Sequence, residues 1–125
     1  MGCAANTLVL YPATVIATDT TTAGVGKGLH YHARDLILVH TVSARTDGTF
    51  TVTLQHSKDG TNWTSVLALD GSTAFATAAV SSNTIVYKYL VSTVPFMQYV
   101  RASILSSATT TGATNKVELI HGVTR

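Results

Sequence analysis

Five histidines, five aspartates, one glutamate and one cysteine are the residues of this 125-residue chain with the most reactive side chains. His30-x-His32 is the pair with metal-ligand potential: on a strand both imidazoles point to one face, and His40 or His56 could add a third ligand. No cysteine pair or acidic cluster accompanies them in sequence, so the pair reads as surface or interface histidine and no metal is expected. A glycosidase needs two facing carboxylates. Here Glu118 is the single Glu, and Asp19, Asp47, Asp59 and Asp70 lie in or beside turns, the last three each followed by Gly. Aspartate in such places bonds its own downstream backbone and tolerates left-handed geometry, so turn chemistry explains all four.

Cys3 falls in a short N-terminal arm, about residues 1–6, a poor place to hold a nucleophile, and no Gly-x-Ser-x-Gly elbow occurs. Gly24-Val25-Gly26-Lys27-Gly28 lacks the spacing and the Lys-Ser/Thr pair of a phosphate loop, and no helix follows it. It reads as the end of a flexible loop over residues 19–28. Arg101, outward on a strand beside Tyr99, reads as a structural cation that caps a turn carboxylate or stacks on a tyrosine. The expectation is a protein with no catalytic, cofactor-binding or metal residue: not an enzyme, and without a cofactor.

The elements that carry these residues are strands. Phe50, Val52 and Leu54 alternate with Thr49, Thr51, Thr53 and Gln55, the period of a strand with one buried face. Ser57-Lys58-Asp59-Gly60-Thr61-Asn62 is a cluster of turn formers in which Asp59-Gly60 supplies positive φ, and Trp63 opens the return strand. The only Trp is therefore expected between two sheets. Residues 7–18 read as one or two strands bent near Pro12. Leu36-Ile37-Leu38-Val39 reads as a central strand buried on both faces. Residues 84–91 place Ile85, Tyr87 and Tyr89 on one face; residues 96–105 place Val100, Ala102 and Ile104 inward; residues 117–123 form the last strand after a polar loop at 106–114. Residues 74–80 are alanine-rich and weak, a short strand or a loop. No 3.6-residue stripe survives the β-branched residues and glycines. The result is an all-β antiparallel sandwich of about eight strands, one domain over residues 1–125, with no internal repeat.

Composition narrows the function. Charged residues make up 11% of the chain, against about 25% in an ordinary domain. A surface of Thr, Ser and Ala opposes association weakly, so a homo-oligomer is expected. The net charge of +2 comes from scattered Lys and Arg with no basic run, which argues against nucleic acid as a partner. No apolar stretch approaches the ~20 residues of a membrane span. The start has no secretory pattern and one cysteine allows no internal disulfide, so folding in a cytosol is expected.

Two resemblances share the same residues. Ser57-Lys58-Asp59-Gly60-Thr61-Asn62-Trp63, followed downstream by Tyr99-Val100-Arg101, resembles the signature of discoidin domains, secreted carbohydrate- or lipid-binding sandwiches. The chain lacks that family's N-terminal portion, paired cysteines, length and export signal. The same pattern, preceded by Thr51-Val52-Thr53-Leu54-Gln55 in a short Thr/Ala/Ser-rich chain, is similar to small structural proteins of tailed bacteriophages, among them jelly-roll capsid decoration (cement) proteins. This second resemblance runs over roughly residues 29–121 and is the one favoured. It implies a jelly roll, a virion location after assembly in the host cytoplasm, and the major capsid protein as partner. The arm and the loop at 19–28 are the expected contact elements. The alternatives are a glycan-binding module, with Tyr31, Tyr87, Tyr89 and Tyr99 as candidate aromatics, or a tail-tube, neck or connector protein.

Overall fold

Alternation and β-branched composition produce strands throughout residues 5–28, 35–67, 73–91 and 99–122, the parts of the chain that a computed structural model describes. Among them lie nine strands: β1 (Ala5–Ile16), β2 (Thr20–Ala23), β3 (Lys27–Gly28), β4 (Asp35–Ser43), β5 (Thr49–Ser57), β6 (Thr64–Ser65), β7 (Thr84–Val91), β8 (Tyr99–Ser107) and β9 (Ala113–Gly122). The pairing is nested. β1 runs against β9, β2 and β3 against β8, β4 against β7, and β5 against β6, all antiparallel. That is the pattern of one long hairpin, doubled over so that β4 also joins β9 and β5 joins β8. The four-stranded sheet has the order β1-β9-β4-β7, and the five-stranded sheet the order β2-β8-β5-β6 with β3 also on β8. The chain is a jelly roll.

The core lies where the two inner faces meet. Leu36, Leu38, Val42, Val117 and Leu119 come from one sheet, and Phe50, Val52, Leu54, Val100, Ala102 and Ile104 from the other. Pro12 sits in β1, an edge strand whose register slips on both sides of Tyr11, as a residue without an N–H requires.

Four expectations need correction. Residues 19–28 are not a free loop: β2 and β3 are laddered onto β8, and the Gly24 N–H donates to the Ala102 carbonyl at 2.8 Å. The open edge of β8 recruits the Thr20-Thr21-Thr22 run, which has the β-branching to pleat against it. The arm is shorter than expected, because Ala5 and Asn6 already pair with Gly122 and His121. The last strand starts at Ala113, inside the stretch read as a loop. Residues 74–80 form neither a regular strand nor a solvated loop. They run beside β5 through isolated bridges at Val80 and Ala76, and Ala74 bridges Leu67, with Phe75 and Val80 buried in the core.

Asp59 closes the β5–β6 connection as a hub and not as part of a two-residue turn. Its carboxylate accepts the N–H groups of Thr61 (2.8 Å) and Asn62 (2.9 Å) and the Ser57 hydroxyl (2.8 Å). Gly60 has φ of +77°, and a Cβ there would meet nothing closer than the Tyr99 ring at 3.8 Å. Gly60→Val is therefore expected to cost strain without a clash, about 1–3 kcal/mol in chemical denaturation. A wild-type midpoint would show that this turn relaxes freely.

Asp47 ties together turns that are far apart in sequence. Its carboxylate accepts the Thr110 hydroxyl and the N–H groups of Gly112 (2.8 Å), Thr110 (3.0 Å) and Thr111 (3.1 Å). Asp19 takes the Thr109 N–H at 2.7 Å, so the β8–β9 turn is held from two sides. The Thr110 hydroxyl, then the Gly112 and Thr110 amides, hold the Asp47 carboxyl well below the usual carboxylate range. Because the folded-state pKa lies below the unfolded one, this stabilisation is full above about pH 4 and is lost as pH falls further. Asp47→Asn should flatten the loss of stability between about pH 4 and 2, read by urea unfolding across that range. An unchanged acid limb would show that other carboxylates carry it.

Candidate interaction surface

The two outer faces of the sandwich differ in chemistry. On the five-stranded sheet the outward positions of β2, β5 and β8 include Thr21, Thr51, Thr53 and Ser103, with Leu105 among them. On the four-stranded sheet they are mostly aromatic and aliphatic. Residues opposite each other in a ladder share a face, so the register lays them out in rows. Tyr89, Ile37, Ile120 and Thr7 form one row; Tyr87, Val39, Glu118 and Val9 the next; Ile85, Thr41 and Lys116 the third. Tyr89 is 71% exposed, Tyr87 58% and Ile85 51%. Val39 is only 5% exposed, yet it lies outside the inter-sheet core cluster, buried by its own face. Lys116 and Glu118 form an ion pair at 3.6 Å on this face.

Trp63 is on the outside as well, which corrects the expectation that it fills the space between the sheets. It is half-buried on the outer side of the five-stranded sheet, with its benzo edge against the Gly26 backbone. The Arg101 guanidinium lies 4.5 Å from the indole centroid and donates its Nε–H to Gln55 Oε1 at 2.8 Å. Gln55 and Arg101 are opposite each other on β5 and β8. Arg101 thus has the structural role expected of it, with the tryptophan and not a tyrosine as the stacking partner.

The histidines do not converge. His40 faces the core on β4, fully buried, and its Nε2–H donates to Asn115 Oδ1 at 2.8 Å, while Asn115 Nδ2 donates to the Ala113 carbonyl at 3.3 Å. Its Nδ1 has no partner among the described residues. Burial pushes the His40 pKa down, against the opposing pull of the Asn115 bond. This pair was not legible in the sequence, and it favours the β4–β9 register, since a one-residue slip would turn Asn115 to the other face and leave the buried His40 without its partner. His40 is thereby withdrawn from any site shared with His56, which is half-buried on β5 and shifted down by burial. His30, His32, Tyr31, Cys3 and Asp70 lie outside the described residues. Among the described residues no three of His, Cys, Asp and Glu stand close enough to hold a metal ion together.

The chain is similar in fold to a chain from the structure of infectious bursal disease virus, Gx strain. The match covers 98% of this chain and 32% of that one, with a TM-score of 0.56 and 14% sequence identity. What they share is the sandwich. This chain spans about a third of the length of the one it matches. No family model matches the sequence, and no curated protein does.

Proposed function

We propose that this chain is a non-enzymatic structural protein of a virion, and within that class a capsid decoration or cement protein of a tailed bacteriophage that bridges subunits of the major capsid protein. The observation that carries the reading is the nested jelly-roll pairing, aligned over 98% of the chain with part of a chain from a virus structure. The acids support it: Asp19, Asp47 and Asp59 are committed to holding turns, which leaves no facing carboxylate pair among them for hydrolysis. A cement protein acts mechanically, adding many modest symmetry-related contacts that hold the shell together as a set. Residues 20–28 are already bound into the β8 ladder, so the outer faces replace that segment as candidate contact elements.

The test mixes purified chain with expanded capsids that lack it, then measures bound copies and capsid melting. Saturation at a copy number set by capsid symmetry, with a raised capsid melting temperature, is expected. Trp63 favours one second reading, a glycan-binding module, because a half-exposed indole beside Arg101 is a surface on which a sugar ring can stack. No capsid binding, together with glycan binding that Trp63→Ala abolishes, would replace the first reading with the second.

A further inference from the structure

The outer face of the four-stranded sheet presents more apolar side chain to solvent than a scattered set of surface residues does. Tyr87, Tyr89 and Ile85 stand in line on β7, and the half-buried Ile37 and Ile120 continue the Tyr89 row across β4 and β9. We infer that this face is the contact between two copies of this chain, stacked sheet against sheet about a two-fold axis.

Three observations point to a second copy. The first is the charge pattern. A symmetric interface sets a patch against itself, so a lone charge would meet its own sign. Among the described side chains of this face, the cation and the anion are Lys116 and Glu118, two positions apart on β9. A two-fold axis lying across β9 at Val117 sets Lys116 of each copy over Glu118 of the other. This pair is then electrically self-complementary across the axis, with its two groups 3.6 Å apart within each copy.

The second is size. Four strands about 4.8 Å apart, each about eight residues long at about 3.3 Å rise, offer roughly 500 Å² per copy, or about 1,000 Å² in all, where specific interfaces begin. Tyrosine suits such a contact, because it covers area with few rotatable bonds.

The third is the edge strand. β7 is at the margin of the sheet, where an open ladder would invite a further strand. Lys88 stands opposite Leu38 on the core side of β7 and is exposed, so an added strand would have to cover an ammonium group. That device opposes growth at the β7 edge, beside which the exposed apolar face lies. The inference is independent of the virion reading: a sheet-stacked dimer can exist whether or not capsids bind it.

The experiment measures the mass of the full chain by sedimentation velocity over a concentration series. Dimer is expected for the wild type. Tyr87→Glu should weaken association by about 30-fold or more while leaving the far-UV spectrum and melting transition intact, as its exposure allows. The charge pair supplies the test that a merely sticky face would not pass. Lys116→Glu and Glu118→Lys should each dissociate the dimer, and the double exchange Lys116→Glu/Glu118→Lys should restore it. A monomeric wild type overturns the inference, as does a dimer indifferent to Tyr87→Glu or a double exchange no tighter than the singles. A monomer whose capsid binding is lost on Tyr87→Glu would assign the face to a capsid subunit instead.

Discussion

Gly112→Ala should be among the most damaging single substitutions in this chain, costing about 3–5 kcal/mol by adding left-handed strain to a backbone clash. Gly112 has φ of +86°, and a Cβ there would lie 1.8 Å from the Ile16 carbonyl oxygen and 2.8 Å from the Ala17 Cα. Those atoms are backbone, so relief requires the end of β1 to move away from β9. Such movement strains the Ile16–Ala113 pairing, the Gly112 N–H bond to Asp47 and the Thr46 N–H bond to the Gly112 carbonyl. Small domains are stable by only about 5–15 kcal/mol, so a loss of this size moves the midpoint far or prevents folding. Gly60→Val is the control: it shares the sign of φ but has open space around it, and should cost clearly less. Urea unfolding of the two variants side by side checks the order, and equal losses would mean that the β8–β9 turn does not press on Ile16.

The second large effect separates two aromatic residues. Phe75→Ala should cost about 3–5 kcal/mol, while Trp63→Ala should cost only about 1–2 kcal/mol although it removes the larger ring. Phe75 is 1% exposed, and its backbone is pinned on both sides, its N–H to the Val66 carbonyl at 2.7 Å and its carbonyl to the Leu54 N–H at 3.1 Å. Truncation there leaves a cavity that the pinned backbone cannot collapse into. Trp63 sits half-exposed over Arg101, so its removal gives up part of an indole's burial and one cation–π contact, and water fills the space. Denaturation midpoints of the two variants test this directly, and the wild-type tryptophan emission should be quenchable by iodide. A reversed order would put the indole in the core.

The contrast between these residues shows where sequence reasoning ends. Period-two alternation in 49–57 states which side chains share a face, and because Phe50, Val52 and Leu54 are apolar and their neighbours Thr, it also states which face turns inward. The all-β class, β5 and its return, the central place of β4 and the bend at Pro12 follow from such local rules. In β7 the same rule groups Ile85, Tyr87 and Tyr89 on one face but leaves the direction of that face open. The opposite face carries Val86, which packs against the core, and Lys88, which points the same way at the sheet margin. Only the position of β7 as an edge strand settles this, because an edge has little core to cover.

The same limit explains the remaining misses. Asp47 is a turn residue by its neighbours, but its hydrogen-bond partners are at Thr110, Thr111 and Gly112, brought to it by the doubling of the hairpin. His40 and Asn115 meet because β4 and β9 are adjacent, and nothing local marks either residue as the other's partner. Residues 20–28 look mobile by composition and are ordered by an open edge of β8. Strand identity and the pairing of neighbours are short-range properties, written in alternation, turn formers and β-branching. Which face is covered, which turn a carboxylate grips and where the one tryptophan lies depend on contacts between residues far apart in the chain, and those exist only once the two sheets have closed on each other.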